Sequence, residues 1–246
     1  MRYLILSDIH ANLDAFETVL EHAAGRWDRV LVLGDLVGYG AEPNEVVDRV
    51  KELAPDVVIR GNHDKAACGI DDGSQFNHVA RMAAVWTGGQ LTPENLAYLR
   101  ELPMGPIEID DLTEICHGAP FDEDAYVFDE LDALRALKLS ERPLCLFGHT
   151  HYPVTFELSA ETFDSIGPSP SAETTLRLRE GAKYLVNPGS VGQPRDGDPR
   201  AAYAVVDVGA RSVELFRVPY RIEAAQAKIM KAGLPEVLAQ RLAVGR

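Results

Sequence analysis

Hydrophobic positions in the first two-thirds of the chain fall into two alternating textures. Short apolar runs at Arg2–Leu6, Arg29–Leu33 and Val57–Arg60 read as strands. Between them, Leu13, Phe16 and Leu20, and then Val46, Val47, Val50 and Leu53, recur at helical spacing. The order β-α-β-α-β predicts a parallel sheet with right-handed crossovers. Residues 65–102 read as mostly helical, with Thr92-Pro93-Glu94 as an N-cap followed by proline at the first helical position. Strands at Ile107–Ile109 and Thr113–Cys116, a helix over Glu130–Leu137 and a strand at Leu144–Phe147 complete this part.

Beyond His151 the helical spacing gives way to strand-like runs joined by turns: Val154–Leu158, Leu176–Arg179, Tyr184–Val186, Ala202–Val206 and Val213–Val218. These predict antiparallel or mixed sheet. Residues 159–174, rich in Ser, Thr, Pro and Glu, read as an exposed loop, and short helices near Ile222–Lys231 and Pro235–Leu242 close the chain. No repeat or linker interrupts the 246 residues. The expectation is one α/β domain, 1–246, containing two sheets, with the helical stretch 65–102 as a cover.

Composition narrows the function. Hydrophobic residues make up 46% and charged residues 25%, as in ordinary globular proteins. With 24 Lys and Arg against 38 Asp and Glu, the formal charge is −14. Such a chain lacks the basic face that nucleic acid or an anionic membrane requires, so neither is expected as a partner. A small phosphorylated substrate stays open, because bound cations reverse the local field in a cleft; a homo-oligomer stays open too. Cys68, Cys116 and Cys145 read as reduced thiols. The apolar start, Met1–Leu6, is too short for a signal-peptide core, and a cytoplasmic location is expected.

The candidate chemistry lies where the predicted strands end. Leu6 leads to Ser7-Asp8-Ile9-His10, Leu33 to Gly34-Asp35, and Arg60 to Gly61-Asn62-His63-Asp64. Cys116 leads to His117-Gly118, and Phe147 to Gly148-His149-Thr150-His151. The carboxyl ends of parallel strands share one edge, where ligands bind. Five sequence-distant clusters can therefore meet in one cleft. Asp and neutral His ligate Mn, Fe and Zn, and Asn adds a carbonyl oxygen. Two ions ~3.5–4 Å apart can clamp both the attacking and leaving oxygens of a phosphoryl centre. Singly each cluster has a bland reading: a helix cap for Asp8 and His10, a turn for Gly34-Asp35. Their ordered set points to a metal site. Five of the seven histidines fall in these clusters; His22 reads as a solvated helix residue.

The ordered motifs Asp8-Ile9-His10, Gly34-Asp35, Gly61-Asn62-His63-Asp64, His117 and Gly148-His149-Thr150-His151 resemble those of the calcineurin-like metallophosphoesterases. Asn187-Pro188-Gly189-Ser190 is similar to the late loop of small bacterial members. The resemblance implies a four-layer α/β/β/α sandwich of two mixed sheets. It also implies one metal on Asp8, His10, Asp35 and His151, and a second on Asp35, Asn62, His117 and His149, with Asp35 bridging. The ions would most readily be Mn, with Fe or Zn as alternatives. His63 would be no ligand; it would serve the leaving-group oxygen as general acid or charge stabiliser, oriented by Asp64. The implied reaction is hydrolysis of phosphodiesters or phosphomonoesters, nucleotide-like ones included, by in-line attack of a metal-bridging hydroxide.

One departure refines the branch. Protein serine/threonine phosphatases and diadenosine tetraphosphatases of this family carry an Asp-Arg pair after the second strand; here Gly38-Tyr39-Gly40 follows Val37. The missing arginine favours the small bacterial phosphodiesterases. Arg195 is a candidate phosphate contact or else a turn residue. Asn77 and His78 are candidate substrate contacts, the alternative being that Phe76 packs its helix and they face solvent. A protein-binding scaffold on the same fold is the other functional class. The retention of His63 weighs against it.

Overall fold

The computed structural model describes residues 1–246. In chain order the elements are β1 (Arg2–Leu6), α1 (Leu13–Ala23), β2 (Arg29–Val32), α2 (Pro43–Leu53), β3 (Val57–Val58), α3 (Asn62–Cys68), α4 (His78–Gln90), α5 (Pro93–Glu101), β4 (Ile107–Glu108) and β5 (Thr113–Ile115). They continue as α6 (Glu130–Leu139), β6 (Leu144–Leu146), β7 (Val154–Leu158), β8 (Phe163–Ile166), β9 (Glu173–Arg177), β10 (Lys183–Asn187), β11 (Ala201–Asp207), β12 (Ser212–Val218), α7 (Ile222–Lys231) and α8 (Glu236–Leu242).

Two six-stranded sheets form, ordered β3-β2-β1-β11-β12-β9 and β4-β5-β6-β10-β7-β8. The strands β1, β2 and β3 run parallel, as the β-α-β-α-β pattern predicts, and β11 adds antiparallel to β1. In the second sheet β5, β6 and β10 are parallel, while β7 is antiparallel to β10. The late strands thus complete both sheets.

Period-two alternation explains why the central strands read as unbroken apolar runs. Tyr3, Ile5, Leu31, Leu33, Ala204 and Val206 face the second sheet, where Leu144, Leu146, Tyr184 and Val186 meet them. On the outer face of the first sheet, Leu4, Leu6, Val30 and Val32 pack on Phe16, Val19, Val46 and Val50 of α1 and α2. Beyond the second sheet, Cys145, Phe147 and Leu185 pack on Ala133, Ala136 and Leu137 of α6. The result is the α/β/β/α sandwich. Leu31 is fully buried between the sheets, so Leu31→Ala would cost about 2–5 kcal/mol.

Residues 159–174 are not all loop. β8 and the start of β9 lie there, at the two sheet edges. Of β8 only Phe163 is half-buried, stacked 6.2 Å from Phe156, while Asp164, Ser165 and Ile166 are exposed. An edge strand paired on one side and largely solvated carries no hydrophobic alternation to read. The strand expected at Leu176–Arg179 is displaced to Glu173–Arg177, because its backbone register with β12 defines it. The stretch 65–102 holds α4 and α5 and most of α3, as expected. No helix is long and apolar enough to cross a membrane.

Candidate metal centre

Each sequence-derived ligand leaves the end of a strand. Asp8 and His10 follow β1, Asp35 follows β2 and Asn62 follows β3, all from the first sheet. His117 follows β5, and His149 and His151 follow β6, from the second. The sharp exits are visible in the backbone: Asp8, His10, Asp35, His149 and His151 all hold φ between +50° and +66°. This left-handed conformation costs a non-glycine residue on the order of 1 kcal/mol or more, and such strain concentrates at functional sites. Gly61 has a different constraint, since a Cβ there would run into the Asp35 carboxylate.

The side chains converge in two overlapping groups, Asp8, His10, Asp35 and His151, and Asp35, His117 and His149, all buried. Asp35 Oδ2 lies 3.5 Å from both His10 Nε2 and His117 Nε2, so one carboxylate oxygen faces both groups. Asn62 Oδ1 joins the second group, 3.2 Å from His117 Nε2. Asp8 Oδ1 is 3.3 Å from His151 Nε2. Around them, Ser7 Oγ donates to Asp8 Oδ2 at 2.6 Å, and the His63 amide donates to Asp35 Oδ1 at 2.8 Å.

Tautomers decide what this cluster can hold. His10 Nδ1 faces the Val37 carbonyl at 3.0 Å, His151 Nδ1 the Gln193 carbonyl at 2.6 Å, and His117 Nδ1 the Leu33 carbonyl at 2.7 Å. A carbonyl only accepts, so each Nδ1 carries its proton and donates. The Nε2 atoms of His10 and His151, 3.0 Å apart, then present two lone pairs to each other. Burial lowers both rings well below the ordinary imidazole value, so a proton does not relieve them. His149 is lowered to about 3 by burial, and its Nε2 is buried without any partner. A cation in each group would satisfy these atoms, one between His10 and His151 and another beside His149. The backbone carbonyls behind the rings are the outer partners that metal-bound histidines normally have.

The remaining charges agree. Burial raises Asp8 to about 7. Burial would also raise Asp35, but His117 and His63 outweigh it and hold the carboxylate low. At His117 burial works downward and Asp35 outweighs it, taking the ring up to about 10. Asp35 and His117 thus favour each other's charged forms, and a divalent cation would take the place of the His117 Nε2 proton. Asp, Asn and neutral His form a mixed O/N donor set that fits Mn, Fe or Zn.

Comparison with known proteins agrees with this geometry. The model of the calcineurin-like phosphoesterase superfamily domain matches residues 1–211. The chain belongs to that superfamily. It is 38% identical to an uncharacterized protein of Methanocaldococcus jannaschii over 98% of this chain and 97% of that one. It is 25% identical to the phosphodiesterase YfcE of Escherichia coli K12, covering 87% and 91%. The crystal structure of a metallophosphoesterase from Sphaerobacter thermophilus superposes with a TM-score of 0.87 at 43% identity, covering 100% and 99%. The sandwich is therefore the calcineurin-like phosphoesterase fold.

In this calcineurin-like phosphoesterase the surroundings of His63 differ from expectation. Asp64 does not touch the His63 ring. Its carboxylate accepts from the backbone amides of Val37, at 3.1 Å, and Gly61, at 2.9 Å, and so ties the β2 and β3 loops together. An acidic residue one place after a histidine on a helix start points elsewhere, and the two amides claim it. The ring is instead held by packing: Phe76 stacks on it at 4.5 Å, Tyr39 lies at 4.3 Å and His10 meets it edge-on at 5.0 Å. Gly38 makes room, since a Cβ there would meet His63 Nδ1 at 2.6 Å. Tyr39, in the Gly38-Tyr39-Gly40 turn that replaces the Asp-Arg pair, is a site residue the motifs do not reveal.

Asn77 and His78 are exposed and make no hydrogen bond to the cluster. Asn77 Oδ1 instead caps α4, accepting from the Ala80 amide at 3.0 Å. Phe76 is the residue of that segment that reaches the centre. Arg195 does stand beside the site: its amide donates to the His151 carbonyl at 3.2 Å, and its guanidinium lies 5.5 Å from the Tyr39 ring. Its Nε is buried without a partner. The late loop also supports the ligands. Asn187 Nδ2 donates to the Gly148 carbonyl at 2.7 Å and to Thr150 Oγ1 at 3.0 Å, and Ser190 Oγ donates to the Asp8 carbonyl at 2.8 Å.

Proposed function

We propose that the chain is a dinuclear metal-dependent phosphoesterase acting on small phosphorylated substrates, with phosphodiesters preferred to phosphomonoesters. Asp8, His10, Asp35 and His151 would hold one ion, and Asp35, Asn62, His117 and His149 the other. Mn is the expected metal, with Fe and Zn as alternatives. The observation that carries this reading is the pair of lone-pair-bearing Nε2 atoms of His10 and His151, 3.0 Å apart beside Asp8. Bound cations would supply Lewis-acid activation of water and of the phosphoryl oxygens.

The chain's own groups would do the rest. His63, lowered to about 4 by burial, is neutral at physiological pH. It would offer an imidazole N–H to the leaving-group oxygen instead of transferring a proton from an imidazolium. Arg195, with its free Nε, would bind a phosphoryl oxygen. The diester preference draws support from the likeness to the E. coli phosphodiesterase. The test combines metal analysis with assays of Mn-loaded protein on bis-p-nitrophenyl phosphate, p-nitrophenyl phosphate and nucleotides. Two ions per chain and faster diester cleavage are expected. A chain that binds both ions and cleaves none of these esters would be a scaffold.

A further inference from the structure

We propose that Tyr126, Phe128 and Tyr152 form a subsite that stacks the base of a nucleotide whose phosphate lies on the metal centre. This names the substrate class of the phosphoesterase reading and rests on it. An aromatic ladder starts at a candidate ligand. The Tyr126 ring lies 3.8 Å from the His149 ring, and Phe128 stacks on Tyr126 at 4.7 Å with 7° between the planes. The outer rung is free: Phe128 is 75% exposed. With Tyr152, Thr150 and Arg195 these rings line one groove of about 520 Å³, within the range of ligand pockets.

The wall is anchored to the catalytic loops. Glu123 accepts from Arg60 Nε at 2.9 Å and from Lys65 Nζ at 3.0 Å, and Lys65 also donates to Asp124 at 2.5 Å. Arg60 and Lys65 flank Gly61-Asn62-His63-Asp64, and the Lys65 side chain is buried. The loop 119–128 therefore holds its rings in register with the ligands.

Flat parallel rings suit a planar π-system more than an aliphatic chain, and base stacking on aromatic side chains tolerates any base. The hydroxyls of Thr150 and Tyr152 give the groove polar atoms for ring nitrogens. Arg195 lines the groove and bonds through its backbone to His151. It places a positive charge where base subsite and metal centre meet.

The test is calorimetric titration of the full Mn-loaded chain with inorganic phosphate and with the methylene phosphonate analogues of AMP and ribose 5-phosphate, which no esterase cleaves. In the wild type the AMP analogue is expected to bind about tenfold more tightly than the ribose analogue. Phe128→Ala and Tyr126→Leu should each erode that ratio and Tyr126→Trp should keep it. Phe128 is exposed enough that its loss leaves the fold intact. If phosphate binds and bis-p-nitrophenyl phosphate is cleaved but the two analogues bind equally, the subsite is wrong and the phosphoesterase stands. A ratio that survives both Phe128→Ala and Tyr126→Leu also overturns the subsite. If no phosphate binds and no ester is cleaved, both proposals fall.

Discussion

Replacing His63 with alanine separates two ways in which an imidazole can serve a leaving group. Burial takes the ring down to about 4. Its protonated fraction is then roughly 1 in 1,000 at pH 7 and falls about tenfold for each further pH unit. If the imidazolium were the working form, the ratio of wild-type to His63→Ala kcat would drop about 300-fold between pH 5.5 and 8. If the neutral N–H is the working form, that ratio stays level across the range. The structure supports the second case, because the ring is buried between Phe76 and Tyr39, and burial outweighs the Asp35 carboxylate that works in the opposite direction. The expected loss is about 10²–10³ in kcat, the worth of one preorganised donor at a developing charge. The assay is kcat for a phenyl phosphodiester, a poor leaving group, at half-unit pH intervals, with a p-nitrophenyl ester alongside, where the loss should be smaller. Metal content of the variant is measured in parallel and should be unchanged. A wild-type to variant ratio that falls steadily with pH, or a lost metal ion, would refute the neutral-donor argument.

Asp35→Asn should weaken binding of both ions, because one carboxylate oxygen faces both histidine groups at 3.5 Å; elemental analysis after gel filtration shows whether either ion stays. Chelation should lower the melting temperature by about 5–10 °C relative to protein in metal at 100 times its Kd, given ~2.7 kcal/mol of linkage. An identical melting curve with and without chelator would contradict this. Asn187→Ala frees the Gly148 carbonyl and Thr150, and should reduce metal affinity about 10–100-fold in a chelator competition.

The convergence of the candidate ligands is legible in the sequence for a physical reason. Each polar cluster ends a two-sided apolar strand, and strand ends of a parallel sheet share an edge wherever the helices go. The two sheets were legible in the change of periodicity after His151. What could not be read is set by backbone atoms or by long-range packing. The carbonyls of Val37, Leu33 and Gln193 that fix the tautomers belong to positions where any side chain would serve. Tyr39, Phe76 and Tyr126 come from three loops and meet the histidines only in the folded chain. Asp64 carries an amide clamp in place of the expected contact to His63, a choice that depends on where Val37 arrives. β8 stayed hidden because most of its residues face solvent.

Each of the two ligand groups draws on both sheets: Asp8, His10 and Asp35 from one with His151 from the other, and Asp35 and Asn62 with His117 and His149. Bound ions would therefore act as rivets through the sandwich, since neither sheet supplies a complete ligand group alone. During folding, the rivets have nowhere to go until the sheets have docked and the left-handed exits are in place. Metal should consequently leave the refolding rate almost untouched and show its full effect on unfolding, since interactions absent from the transition state slow only the reverse step. Such a protein would resist proteolysis for as long as its ions stay bound.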